Sequence, residues 1–284
     1  MKKMLLLFVL LCSGYAAPSL AQACTTLHTL PATISEAGNY CLGGNQNLDM
    51  ASGSALSIAA SNVTFDCQDF AISNGASGGT AVAINILSKN TITVRNCRIL
   101  GNFHTGIRAS QNNAAANSAY YVTLHDNFIA GPLAYGIFAN GSGIEIRDNR
   151  IYDIGGTNGI AAGIRLGAST LAGHPRFHLV KDNLVAGTNS AGNNAHGILS
   201  DNSQVAIIIN NGISGTTATN GAYRSYGVRM MSGTYNRITD NHIVGSGLTN
   251  DSGIVSASAT DSCHDNYIRS EIATTTCNAT FGNF

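Results

Sequence analysis

Apolar and polar residues alternate along this chain in runs of only four to six, each run broken by Gly or Asn. Tyr121 to Gly141, YVTLHDNFIAGPLAYGIFANG, contains the whole pattern. An alternating run ends in Asp-Asn, and a Gly-Ile step then opens a second short run. The first part recurs at Asp66-Cys67, Asn96-Cys97, Asp126-Asn127, Asp148-Asn149, Asp182-Asn183, Asn210-Asn211, Asp240-Asn241 and Asp265-Asn266, at intervals of 30, 30, 22, 34, 28, 30 and 25 residues. Gly106-Ile107, Gly136-Ile137, Gly163-Ile164, Gly197-Ile198, Gly227-Val228 and Gly253-Ile254 each fall between two copies of it. Two interleaved series with one shared period make an internal repeat.

Strict alternation marks half-buried strands, whereas a helical repeat would need roughly 10 to 15 residues of 3.6-residue periodicity per element. The unit is therefore strand, turn, strand, loop. So short a unit buries its apolar face only by stacking on its neighbours, strand over equivalent strand about 4.8 Å apart. The expected fold is an all-β solenoid of about eight coils with Val122, Leu124, Ile144, Ile146, Ile164 and Ile198 pointing inward. Asn and Asp tolerate left-handed backbone, so the Asp-Asn series reads as a stacked bend.

Stacking turns sequence positions into columns. In G-I-x-A the Ile points in and the next residue points out, which gives an outer column of Arg108, Phe138, Arg165, Leu199, Arg229 and Val255. Just before the Gly come Tyr135, His196 and Tyr226. Cations, hydroxyls, an imidazole and apolar faces in one row suit an extended glycan, whose rings are apolar on their faces and polar at their edges. The same column also reads as a solvated strand with Arg stems packed along it. A second row, Arg95, His125, Arg147 and Lys181, precedes the bend. Like charges stacked this closely need an anion or local balancing, and the nearby Glu145 and bend aspartates favour balancing.

Composition narrows the picture. The 284 residues include 32 Gly and no Trp, and only 11% are charged, which suits a β-solenoid. Residues 1–23 read as a secretory signal, with Lys2-Lys3, the apolar run Met4 to Cys12 and Ala21-Gln22-Ala23 as the cleavage site. Without it, 13 basic and 15 acidic residues remain (15 − 2 against 15), a formal charge of −2 that disfavours nucleic acid as a partner. No stretch is apolar for long enough to span a bilayer. A secreted or periplasmic monomer is expected, made of a cap at 24–47, repeats at 48–269 and a closing tail at 270–284.

Six cysteines follow the signal, an even number in an exported chain, which points to disulfides. Cys67 and Cys97 hold the same place in adjacent copies, within bridging reach. Cys24 with Cys41 and Cys263 with Cys277 would staple the ends. Lipid anchoring at Cys24 is the competing use of that thiol. No Cys-x-x-Cys supports zinc.

The recurring V-x-Φ-x-D-N-x-Φ and G-I-x-Φ segments, after a signal and a Cys-containing cap, resemble the right-handed parallel β-helix superfamily of pectate lyases, polygalacturonases, chondroitinase-B-like lyases and mannuronan epimerases. The resemblance spans about Leu48 to Arg269 and implies that fold and an acidic polysaccharide as partner. Of the polygalacturonase segments only Ala195-His196-Gly197 echoes one, and the calcium-ligand carboxylates of pectate lyases are not recognisable, so no cofactor is predicted, with calcium left open and no site for it recognised. Glutamate is scarce, and Arg, His and Tyr suffice for β-elimination from a uronate. Arg165 or Arg229 would hold the carboxylate and His196 or Tyr226 would act as base or acid, with Arg108, Tyr135, Phe138, Arg147 and Lys181 binding the chain. Two alternatives stand beside this reading: a non-catalytic glycan-binding or surface-structural β-helix, and a glycoside hydrolase using loop carboxylates among Asp153, Asp201 and Asp251.

Overall fold

The computed structural model describes residues 23–110, 120–156, 159–167, 177–246, 251–269 and 280–281. Every paired strand runs parallel to its neighbour, and three sheets carry the pairing. Among the described residues sheet I has nine strands, including Thr105–Ser110, Tyr135–Ala139, Ala161–Leu166, Ala195–Ser200, Ser225–Met230 and Asp251–Ser256. Sheet II has eleven described strands, including Asn90–Arg95, Tyr120–His125, Ser142–Arg147, Phe177–Lys181 and Val205–Ile209. Sheet III includes Arg98–Gly101, Phe128–Ala130, Arg150–Tyr152, Leu184–Ala186, Gly212–Ala218, His242–Gly245 and Tyr267–Arg269. The chain visits sheets I, II and III in turn and starts again one rung on. This is a parallel β-helix.

From Ser54–Ile58 to Tyr267–Arg269 it completes eight coils. One more precedes them, because Ala32–Ile34, Gly38–Leu42 and Gln46–Leu48 pair into all three sheets. The segment expected as a cap thus contributes a rung, on which Thr25–Leu27 adds a strand to sheet II. Beyond Arg269, Thr280–Phe281 adds a strand to sheet II.

The expected inward residues, Val122, Leu124, Ile144, Ile146, Ile164 and Ile198, are all fully buried. At the bend between sheets II and III the two residues of each Asp-Asn pair divide the work. The first takes left-handed backbone, with φ of 53° at Asn96, 55° at Asp126, 56° at Asp148, 57° at Asp182 and 55° at Asp240. The second turns inward, where Asn127, Asn149, Asn183, Asn211, Asn241 and Asn266 are all nearly or fully buried. Each Asn Nδ2 from Asn127 to Asn241 donates to the Oδ1 of the next rung at 2.9–3.0 Å. Backbone N–H groups donate to the same oxygens, so a buried polar column is satisfied rung by rung.

Cysteine occupies that column where Asn does not, and Cys67 and Cys97 are disulfide-bonded with Cα atoms 4.7 Å apart. Cys24 is bonded to Cys41, which leaves no thiol there for a lipid. Cys263 is also in a disulfide; Cys277, its expected partner, lies outside the described residues, as does most of the signal segment.

The Gly of the Gly-Ile step serves packing. A Cβ on Gly136 would come 2.6 Å from Ile151 Cγ2, and one on Gly197 would come 2.3 Å from Ile213 Cγ2. Sheet I lies so close on sheet III that only hydrogen fits between them. Between the strands of sheets III and I, Gly155–Gly156, Asn189–Ser190 and the end of Gly212–Ala218 stack as a short extra ladder.

Candidate functional site

The outer column of sheet I is in register as its spacing required. Arg108 pairs with Phe138, Phe138 with Arg165, Arg165 with Leu199, Leu199 with Arg229 and Arg229 with Val255. Tyr135, Ala162, His196, Tyr226 and Ser252 form the neighbouring column. Accessibility separates their members. Arg108 is exposed and Phe138, Arg165 and Arg229 are partly so, while Leu199 is fully buried.

The guanidinium groups differ in their partners. Arg108 lies over the Phe138 ring at 5.7 Å and Arg229 over the Tyr226 ring at 4.5 Å, cation–π contacts that leave the charge without a carboxylate among the described residues. Arg165 is engaged by Asp201, with Nε and Nη2 donating to Oδ2 at 2.8 and 2.7 Å. Its Nη1 donates to the Tyr135 hydroxyl at 2.5 Å. Burial acts to lower its pKa, and Tyr135 and Asp201 more than offset that, so the net direction is upward. Arg165 is thus balanced internally.

His196 is 1% exposed and stacks flat on Tyr226, with ring centroids 5.0 Å apart. Its Nδ1 is buried without a partner. Burial, assisted by Arg229 and Arg165, pushes its pKa down to about 3. A neutral imidazole this deep is a weak base and is hidden from an external ligand. Sequence position placed it in the right column, but burial decided its chemistry.

His104, at the entry to Thr105–Ser110, was missed because it precedes the repeat motif rather than belonging to it. Its ring meets Tyr135 edge-on at 5.9 Å, and its Nδ1 lies 3.2 Å from Thr105 Oγ1. Burial and the charge of Arg108 hold its pKa below the usual value. His104 and Tyr135 line a cleft of about 440 Å³ with Leu133, Gly78, Gly79 and Gly156.

The second row is also in register, Arg95 over His125, Arg147 and Lys181, and balancing accounts for most of it. Arg95 contacts Asp66 at 2.8 Å, and His125 contacts Asp126 at 2.7 Å. Arg147 contacts Glu145 at 3.1 Å and Asp148 at 2.8 Å. A groove of about 730 Å³ runs along the bend beside Asp126, Asp148 and Asp182. Asp126 and Asp148 are committed to the basic row, and Asp182 accepts from Asn210 Nδ2 at 2.7 Å. Among the described residues, no three His, Cys, Asp or Glu side chains stand close enough together to hold a metal ion.

The loop carboxylates do not converge. Asp251 opens its strand two rungs from Ala195, and Asp201 follows Ser200. Six residues at about 3.3 Å separate them by roughly 20 Å along the sheet, well beyond the spacing of about 5–9.5 Å that paired hydrolytic carboxylates need. Asp153 sits in a turn with φ 52°.

No family model matches the chain, and no curated protein does. Among solved structures it is similar to the Dettilon tailspike protein (gp208), with 12% identity and a TM-score of 0.40 over 92% of this chain and 60% of the tailspike. It is also similar to the A-module of the Azotobacter vinelandii mannuronan C-5 epimerase AlgE6, with 12% identity and a TM-score of 0.39 over 87% of this chain and 83% of the module. The chain spans about three fifths of the tailspike's length. Identities this low speak to fold alone, and the strand pairing already establishes the parallel β-helix.

Proposed function

We propose that this protein binds an extended acidic polysaccharide along the outer face of sheet I and works in an oxidising, extracytoplasmic compartment. The observation that carries the reading is the pair Arg108 and Arg229. Both occupy one column, both lie against aromatic rings, and neither has a carboxylate partner among the described residues. Four rungs separate them, roughly 19 Å at the usual strand spacing, so both meet a single ligand only if it is long. Phe138, in the same column between them, is partly exposed and adds an apolar surface. The two disulfides with both cysteines described fit the proposed compartment.

Calorimetric titration with polygalacturonate, alginate and a neutral glucan tests it. Binding confined to the acidic polymers, weakening with salt and at least tenfold poorer in the Arg108→Ala/Arg229→Ala double variant, is the expected result. Undiminished binding by the double variant would overturn the assignment.

A further inference from the structure

We infer that the groove at the bend between sheets II and III is a second binding site, independent of the sheet I face, and that it takes a zwitterionic polysaccharide in which amino sugars and uronates alternate. The groove has a volume of about 730 Å³ and crosses the rungs of Asp69, Arg98, Phe128, Arg150 and Leu184. Ala71, Arg98, Phe128, Arg150 and Leu184 are paired in that order as the first outward positions of sheet III. Two positions earlier on the same rungs stand the bend residues Asp69, Asn96, Asp126, Asp148 and Asp182.

The order of charge is the first observation. Ala71, Asn96, Phe128 and Leu184 carry none, so the rungs of Asp69, Arg98, Asp126 and Asp182 each turn one charge to the groove. On the remaining rung Arg150 shares its place with Asp148, whose Oδ2 accepts from Arg147 Nη1 at 2.8 Å. The groove therefore reads Asp69, Arg98, Asp126, Arg150, Asp182, negative and positive by turns, one rung after another. At the usual strand spacing the same sign returns roughly every 10 Å, the advance of a disaccharide in an extended chain.

The second observation is that these groups keep unspent capacity. Arg98 and Arg150 are exposed, and among the described residues no ion pair joins either of them to the bend. Arg98 lies over the Phe128 ring at 5.8 Å. Asp126 uses Oδ2 on His125 Nδ1 at 2.7 Å, and Asp182 uses Oδ1 on Asn210 Nδ2 at 2.7 Å, so each retains its other oxygen. Opposite charges thus line one groove without closing it.

Complementarity selects the ligand. A polyanion would meet Asp69, Asp126 and Asp182, and a polycation would meet Arg98 and Arg150. Only a chain carrying ammonium and carboxylate in alternation pairs with every rung. Phe128, partly exposed, and Leu184, 39% exposed, add apolar surface between the charges. The strands beneath are hydrogen-bonded to neighbours on both sides, so a peptide finds no sheet edge to extend and recognition falls to side chains.

Calorimetric titration at pH 7 in the Arg108→Ala/Arg229→Ala background, which removes the sheet I cations, provides the test. The probe is N-deacetylated heparosan, in which glucosamine and glucuronate alternate. Its N-acetylated parent, chitosan and an alternating Lys-Glu polypeptide are the comparisons. The deacetylated polymer should bind about tenfold more tightly than any of the three, and salt should weaken it. Arg98→Ala/Arg150→Ala and Asp126→Asn/Asp182→Asn should each weaken that binding about tenfold, and the first pair should also improve binding of chitosan. Asn already occupies this bend position at Asn96 and Asn210, with φ of 53° and 54°, so the second pair keeps the backbone. Absence of binding, equal binding of the N-acetylated parent or of the polypeptide, or affinity unchanged in both pairs would overturn the inference. None of these outcomes touches the sheet I reading, which is tested with polyanions on the chain that retains Arg108 and Arg229.

Discussion

Asn183→Ala measures what the polar column at the bend contributes. Asn183 is 2% exposed and its side chain takes part in five hydrogen bonds. Nδ2 donates to Ile146 O and Lys181 O at 2.9 Å and to Asn211 Oδ1 at 3.0 Å. Oδ1 accepts from the Asn149 backbone N–H at 3.1 Å and from Asn149 Nδ2 at 3.0 Å. After the substitution Asn149 Nδ2 still reaches Leu124 O and Arg147 O, and Asn211 Oδ1 still accepts from the Asn183 N–H. The Asn149 N–H is left buried and without its acceptor, a loss of about 1–3 kcal/mol, and the other bonds each contribute a net amount of order 1 kcal/mol. The expected destabilisation is about 3 kcal/mol, a fall in Tm of roughly 6–12 °C for a domain of this size. Thermal melting reads the total, and amide exchange at Asn149 reads the local opening, because a solenoid loosens rung by rung. Asp182→Asn is the control. It keeps a residue tolerant of φ 57° and an oxygen for Asn210, so its effect should stay within about 0.5 kcal/mol. A loss below about 1 kcal/mol for Asn183→Ala would show that the column follows from the fold rather than supporting it.

Gly197→Ala should cost about 2–3 kcal/mol in chemical denaturation, since its Cβ would lie 2.3 Å from Ile213 Cγ2 and 2.7 Å from Gly227 O; Gly159→Ala, with nothing within 4 Å, should be near neutral, and equal effects at the two sites would contradict the packing account. His178 is fully buried between Ile144 and Ala206 in the sheet II ladder, with neither ring nitrogen bonded, and burial lowers its pKa from 6.5 to about 4. Because the unfolded chain takes up this proton at higher pH than the folded one, stability falls as pH drops from 6.5 toward 4, by about 3 kcal/mol at most. His178→Leu should remove that portion of the acid sensitivity, and an unchanged slope of denaturation midpoint against pH would rule His178 out as its source.

The alternation of single residues, the thirty-residue period and the Asp-Asn and Gly-Ile steps sufficed by themselves to determine a parallel solenoid, its inward residues, its vertical register and the Cys67–Cys97 bridge. All of these follow once equivalent positions stack, because side-chain direction along a strand has period two and each rung copies the one before. The left-handed bend was also legible, since few residues other than Asn, Asp and Gly accept it. Which bend residue faces the core was not, because a ladder of buried amides exists only between rungs. Sequence position likewise placed Arg165, His196 and Leu199 on an outer column without saying that Asp201 neutralises the first and that burial silences the second and hides the third. Charge pairing and desolvation depend on how far loops fold back over a sheet, and no periodicity records that distance. For the same reason His104 stayed invisible until its rung was laid beside that of Tyr135.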